Sequence, residues 1–173
     1  HRGSAFGGID KPPQPTQEMF ENTLAQHLMQ SNTAKHLWVE DESQRIGVLN
    51  IPHNLWKTMR NSPVFFIDLP FHIRLKSIVT SYGNLNRGKL IEAVQRIQKR
   101  LGPLETKITI EHLQAGNIPE AFAMLLKYYD KFYLKGLHNR KNVEQQVQSI
   151  PCTNVNEEFI SQILDICKNV NYS

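Results

Sequence analysis

The sequence predicts an α/β chain: a partial parallel sheet flanked by helices, followed by an all-helical section, helix-rich overall. Three observations carry this. Val64-Phe65-Phe66-Ile67-Asp68 is four consecutive apolar β-formers closed by an acid, with Pro70 just beyond. Leu37-Trp38-Val39 is a second short apolar run, and it ends in three acids, Glu40, Asp41 and Glu42. After Gly83 the apolar residues recur only at helical spacing, as in Leu90, Val94, Ile97 and Leu101. Strand, helix, strand, helix in the first half implies parallel pairing through helical crossovers.

The elements follow in order. Gly7 to Pro15 is loop, because two glycines precede Pro12-Pro13-Gln14-Pro15. A helix begins near Thr16, with Glu18 and Glu21 close to its positive end and Phe20, Leu24 and Leu28 as its apolar stripe. Residues 36–40 read as a strand and residues 46–51 as a second extended piece. Pro52 opens a short helix with Leu55 and Met59 one turn apart. Strand 64–68 leads into a helix marked by Phe71, Leu75, Ile78 and Tyr82. Gly102-Pro103 ends the helix that carries Leu90 and Val94; the next runs to about Gln114 and stops at Gly116-Asn117. A third spans about Pro119 to Leu134. Residues 142–156 are polar and read as a linker, before a last amphipathic helix with Phe159, Ile163, Ile166 and Val170. The expected divisions are 1–82, an α/β part; 83–141, a basic helical section; and 142–173, linker and C-terminal helix.

At 173 residues and 40% hydrophobic content the chain suffices for one ordinary core. No apolar run approaches the roughly 20 residues a membrane helix needs. Cys152 and Cys167 stand far apart with no Cys-x-x-Cys spacing, which argues against a zinc site and a disulfide framework and makes a cytoplasmic location the expectation. No metal ligands are assigned. Charge is unevenly placed: residues 71–141 hold 13 Lys/Arg against 5 Asp/Glu, while residues 1–70 hold 6 against 7 and residues 142–173 hold 1 against 4. A cationic section of this kind fits a polyanionic partner, most simply a nucleic acid, although lysine-rich helix faces also occur with no partner.

The residues that bear on chemistry start with His1-Arg2-Gly3-Ser4-Ala5-Phe6-Gly7-Gly8. Gly3, Gly7 and Gly8 let backbone amides approach an anion, and Arg2 adds a bidentate phosphate donor. His1 adds a hydrogen-bond donor that titrates near neutrality. The chain opens inside this feature, without Met and with no strand before it, so it reads as a fragment. Glu40, Asp41 and Glu42 at a strand end resemble a Walker B element, which holds Mg²⁺ or orients a nucleophile; a strand ending in solvent would look the same. Arg74, one turn into the helix after strand 64–68, is placed to reach a phosphate over the sheet edge. Arg2, Ser4, Glu40, Asp41 and Arg74 are therefore expected to converge in one cleft. For RNA the candidates are Arg87, Lys89, Arg96, Lys99, Arg100, Lys107, Lys131 and Lys135, with Arg96 and Lys99 on one helix side and Lys89 off it. Tyr129 and Tyr133 are candidate stacking surfaces, and Tyr128 and Phe132 are expected in the core.

Ordered blocks of this sequence resemble the tRNA 2-selenouridine synthases. They are the opening His1–Gly7, Pro13-Gln14-Pro15-Thr16-Gln17 with Phe20-Glu21-Asn22 and Leu24, Glu40-Asp41-Glu42-Ser43 with Ile46-Gly47, Ile51-Pro52 with Met59, and Pro70-Phe71 with Ile73-Arg74-Leu75. A looser block follows at Leu125-Leu126 and Tyr128-Tyr129-Asp130 with Tyr133. The resemblance implies a parent with a rhodanese-like domain bearing a catalytic cysteine, then a P-loop domain whose Walker A loop precedes the His-Arg-Gly-Ser block. It implies an enzyme that geranylates 2-thiouridine at the tRNA wobble position and then replaces the sulfur with selenium. Its co-substrates are geranyl diphosphate and selenophosphate, with Mg²⁺ or a nucleotide as further candidates, and its partners are tRNA and a prenyl diphosphate, with no membrane. This chain contains neither the rhodanese cysteine motif nor Gly-x-x-x-x-Gly-Lys-Ser/Thr, so alone it is expected to be a partial, inactive site that binds phosphate and tRNA. A nucleotide- or nucleic-acid-binding module and a small-molecule P-loop kinase stay open as alternatives, the latter because strand–Asp–x–Pro followed by Arg also occurs there.

Overall fold

The computed structural model describes residues 5–31, 37–41, 43–154, 156, 159–161, 163 and 165. The order is α1 (Gln17–Gln30), a hairpin of β1 (Arg45–Ile46) and β2 (Leu49–Asn50), α2 (His53–Asn61), β3 (Val64–Asp68), α3 (Phe71–Tyr82), α4 (Arg87–Arg96), α5 (Gln98–Leu101), α6 (Pro103–Ala115), α7 (Ile118–His138), α8 (Val143–Gln146) and β4 (Val147–Pro151). The chain is a helix-rich α/β fold whose small parallel sheet is flanked by helices, with the run from α3 to α8 lying in sequence between its two strands, consistent with a P-loop-type arrangement.

Local chemistry sets the boundaries. Thr16 caps α1 by accepting the Met19 N–H at 3.2 Å, and Asn86 caps α4 by accepting the Lys89 N–H at 3.2 Å. Gly102 (φ 99°) lets the chain turn before Pro103 opens α6. Gly116 (φ 83°) ends α6 in the left-handed conformation, and the Asn117 N–H returns to the His112 carbonyl at 2.9 Å.

The parallel partner of β3 differs from the expected one. Val64–Asp68 pairs in parallel with Val147–Pro151, within the stretch expected to be a linker. Residues 37–41 form no strand; the Trp38 ring packs on Phe65 instead, at 5.4 Å between centroids. The extended piece expected at 46–51 is the β1–β2 antiparallel hairpin. The hairpin is stitched to the first helix by side chains: Gln14 bonds the Ile46 carbonyl and the Val48 N–H, and Gln17 bonds both the N–H and the carbonyl of Asn50. Of the last helix expected, residues 159–161 are helical and Ile163 is buried against Ile150; Ile166 and Val170 lie outside the described residues.

The main core is helical. Leu90, Ala93, Val94, Leu113 and Ala121 are 0% exposed and Phe122 is 1% exposed. Phe6 and Ile9 of the opening loop belong to this same core, with Phe6 edge-on to Phe122 at 5.5 Å and near Tyr82 at 6.1 Å. The apolar stripe of α1 is half-buried at most, and no residue of α1, α2 or α3 is fully buried.

Candidate functional site

Three polar stations lie along α7, and the side chains singled out in the sequence are divided among them. The first is the opening loop, anchored at Phe122. The second is Arg74, held at Asp130. The third is Asp41, held by Arg140 just past the helix end. With a rise of about 1.5 Å per residue, the successive anchor residues Phe122, Asp130 and Arg140 are about 12 to 15 Å apart along the helix axis.

At the first station, Phe6 and Ile9 fix the loop from below and the cations of α4 hold it from the side. Lys89 pairs with Asp10, and the Arg96 guanidinium donates to the Ala5 carbonyl at 3.4 Å. Lys89 and Arg96 are seven residues apart, two helical turns, so both face the loop; the expectation that Lys89 lies off the Arg96 side is corrected by this spacing. The hydrogen bond that Lys89 donates to the Asp10 carboxylate raises the ammonium's pKa above its ordinary value. Gly7 is buried in a turn of this loop. His1, Arg2, Gly3 and Ser4 lie outside the described residues. Arg87, at the start of α4, reaches the Gln114 carbonyl at 3.4 Å.

At the second station Arg74 forms a two-pronged pair with Asp130, at 2.5 and 2.9 Å, and its Nε donates to the Leu69 carbonyl at 2.9 Å. The Asp130 carboxylate raises the Arg74 guanidinium above its ordinary value, against a smaller opposing effect of burial. Asp130 lies in the looser block of the family resemblance, but its pairing with Arg74 across 56 residues has no local signal. Close by, at the carboxyl ends of β3 and β4, Asp68, Pro70, Cys152 and Asn154 line an open hollow of about 660 Å³. The Cys152 N–H closes this end of the sheet by donating to the Asp68 carbonyl at 3.1 Å.

The third station is the most enclosed. The Arg140 side chain is 1% exposed; it donates to Asp41 at 2.5 Å and to the carbonyls of Arg60 and Met59 at 2.8 and 3.4 Å. Its Nε has no partner. Burial, with the Arg140 charge second, lowers the Arg60 guanidinium below its ordinary value. Arg60 and Met59 end α2, immediately before β3, so Asp41 lies at the amino end of that strand and not at its carboxyl end. The structure therefore does not join Asp41 with Arg74. Glu40 is exposed, and Glu42 lies outside the described residues. With Asp41 committed to Arg140, Glu40 is the described acid of this run left for a cation or a water.

The remaining RNA candidates are exposed: Lys99 and Arg100 on α5, Lys107 on α6 with Glu111 at 3.9 Å, and Lys131 and Lys135 on α7. Tyr129 stacks with Tyr133 at 5.8 Å, and Tyr133 with Phe66 at 6.0 Å. Phe132, expected in the core, is exposed, while Tyr128 packs against the core. Among the described residues no helix is long and apolar enough to cross a membrane.

The structure thus joins a helix-rich α/β fold, a loop held by α4 cations and a strongly basic helical section. Sequence comparison supplies the family. The description tRNA 2-selenouridine synthase AAA domain matches residues 1–89, about half of the chain, and the chain belongs to that tRNA-modifying family. Among curated proteins it is 34% identical over 137 residues to the tRNA 2-selenouridine synthase of Nitrosomonas europaea, covering 76% of this chain and 34% of that protein. It is 31% identical over 182 residues to that of Bdellovibrio bacteriovorus, covering 81% and 48%. It is 43% identical over 84 residues to that of Shewanella piezotolerans, covering 47% and 23%. The chain thus spans less than half of the length of these relatives. No solved structure matches it.

Proposed function

We propose that this chain is the phosphate- and tRNA-holding part of an enzyme that geranylates 2-thiouridine at the wobble position and then replaces the sulfur with selenium. The observation that carries the reading is the family match over residues 1–89, which spans the opening loop, the acidic run and Arg74 together. Geranyl transfer forms a carbon–sulfur bond and breaks the bond from carbon to the diphosphate oxygen, so charge grows on a departing diphosphate. Backbone amides of a glycine loop with Lys89 and Arg96 beside it suit that charge. Selenophosphate, the selenium donor in this reading, presents a similar anion.

The spacing of the stations' anchor residues along α7 supports a division of their ligands by size. A diphosphate is too small to touch two places about 12 Å apart, whereas a tRNA backbone can cross all three. The loop with α4 is accordingly read as the small-anion site, and Arg100, Lys99, Lys107, Lys131 and Lys135 as tRNA contacts around it. Glu40 is the described residue able to hold Mg²⁺, through water.

The test is mass spectrometry of the wobble nucleoside in cells lacking their own synthase and supplied with a full-length protein containing this chain. The expected products are S-geranyl-2-thiouridine without selenium and 2-selenouridine with it. Unchanged 2-thiouridine despite tRNA binding would leave a binding module and overturn the synthase reading.

A further inference from the structure

β3 has the composition of a strand inside a sheet and the position of one at its edge. Val64-Phe65-Phe66-Ile67 is an unbroken apolar run, the pattern of parallel strands covered on both faces. The ladder with β4 leaves one side of this strand open. The Cys152 N–H donates to the Asp68 carbonyl at 3.1 Å, so the backbone groups of Val64, Phe66 and Asp68 turn toward β4 and those of Phe65 and Ile67 turn away. Of the outward groups, the Ile67 carbonyl accepts the Leu69 N–H at 3.1 Å. Among the described residues, no backbone group meets the two outward N–H groups or the Phe65 carbonyl. The outer side of β4 suits a further strand less well: Val147, Ser149 and Pro151 turn there, and Pro151 has no N–H to give.

A cavity of about 790 Å³ runs along this strand. Phe65 and Phe66 point to opposite faces of the sheet, and their partners show what covers each face. Tyr133 of α7 stacks on Phe66, and Ile163 packs with Ile150 beside Phe65. Tyr133 and Ile163 both line the cavity, so it opens at the edge of β3 between the two covering layers, where a neighbouring strand would lie. Its far wall is residues 37–41, whose Leu37, Trp38 and Val39 stay about half exposed. The Nε of Arg140, in a side chain that is 1% exposed, lacks an acceptor in the same wall.

We propose that this slot takes a β-strand from the part of the full-length protein outside these 173 residues, added in parallel to the free edge of β3. The chain spans less than half of the length of its relatives, so the larger part of such a protein is available to supply the strand. The inserted strand gives the Phe65 and Ile67 amides their acceptors, covers Leu37–Val39 and offers a carbonyl to Arg140. It runs parallel because β3 and β4 already do. A sheet of two strands becomes one of three, enough for independent stability. In that orientation the loop after the added strand emerges beside Asp68 and Arg74, so the second station is completed by sequence outside this chain. The inference rests on the sheet and on family membership and is independent of the chemistry proposed above.

The test uses a full-length protein containing this chain, with no substrate present. Amide hydrogen exchange resolved to single residues should show the outward Phe65 and Ile67 amides slowed at least about 100-fold relative to an unstructured peptide, like the inward Phe66 and Asp68 amides. Free exchange at Phe65 and Ile67 beside protected Phe66 and Asp68 overturns the proposal. Cross-linking then identifies the neighbour. A diazirine amino acid of leucine's size replaces Ile67, a 39% exposed position, and the linked peptides are mapped by mass spectrometry in a mixture of ¹⁴N and ¹⁵N protein. The expected links join this position to sequence outside the 173 residues within one molecule. Links confined to the 173 residues would mean that the chain closes its own edge, and mixed-isotope links that two copies pair there; either overturns the proposal. Neither readout involves geranyl diphosphate, selenophosphate or tRNA, so a failure here is distinct from a failure of the synthase reading.

Discussion

The helical section and the sheet region are built on different principles. In α4, α6 and α7 the inward side chains interlock in a closed core, and Leu90, Val94, Leu113 and Phe122 are essentially unexposed. Around β3 the burial is partial; Leu37, Trp38, Val39, Ile67 and Ile160 all stay exposed, and long-range polar contacts through Arg140 and Arg74 fasten the parts together. A region closed by its own hydrophobic packing is finished, whereas one held by a few charged fasteners keeps surface available for ligands. The opening loop belongs with the finished half, because Phe6 sits in the helical core. That anchoring holds the short glycine loop against the helices.

The comparison breaks first at Phe122. Phe122→Ala removes a ring at the junction of loop and helices and should cost about 3 to 5 kcal/mol in urea unfolding. A loss under about 1 kcal/mol would mean the helical core is not the stable half. Arg140→Ala comes next. It strips a buried charge from Asp41 and two carbonyls, and about 3 kcal/mol is expected, with Trp38 emission moving to the red as residues 37–41 come loose. Unchanged emission would show that the latch does not hold this segment.

Arg74→Lys keeps the charge but loses the fork, and about 1 kcal/mol is expected from thermal melts. Its pH dependence follows from the raised guanidinium value. Stability from this source is fully present below the unfolded arginine value and is lost only as pH rises through the folded one. The wild-type margin over Arg74→Lys should therefore not be lost with rising pH between about pH 6 and 9. Smallest of all is Lys89→Ala, since that lysine is exposed; melting should barely change, while diphosphate affinity measured calorimetrically should fall. An equal loss in melting would recast Lys89 as a structural fastener.

Much of the fold was legible because it is local. Val64–Asp68 announces a strand by composition, and Gly102-Pro103 and Gly116 bound helices through their own backbone chemistry. β4 was hidden because Val147-Gln148-Ser149-Ile150-Pro151 has two apolar side chains and a proline; its strand character comes from pairing with β3, 83 residues earlier in sequence. Leu37–Asp41 misled for the converse reason: its composition suits a strand, but its aromatic ring and its acid are taken by Phe65 and Arg140. The site was legible as residue types and not as a constellation. Nothing near Arg74 points to Asp130, and nothing near Asp41 points to Arg140. A signal for the loop did exist, since a lone phenylalanine among glycines is a natural anchor.

The most direct measurement of the central claim is tRNA affinity against salt for a full-length protein containing this chain, compared with Lys99, Arg100 and Lys107 all reversed to Glu. If α5 and α6 face tRNA phosphates, the reversed protein should bind far more weakly and its logarithmic salt slope should fall by about 2 to 3, near one unit per lost phosphate contact. Unchanged affinity with an unchanged slope would show that this basic section is a solvated helix face, and would contradict the assignment of tRNA to it.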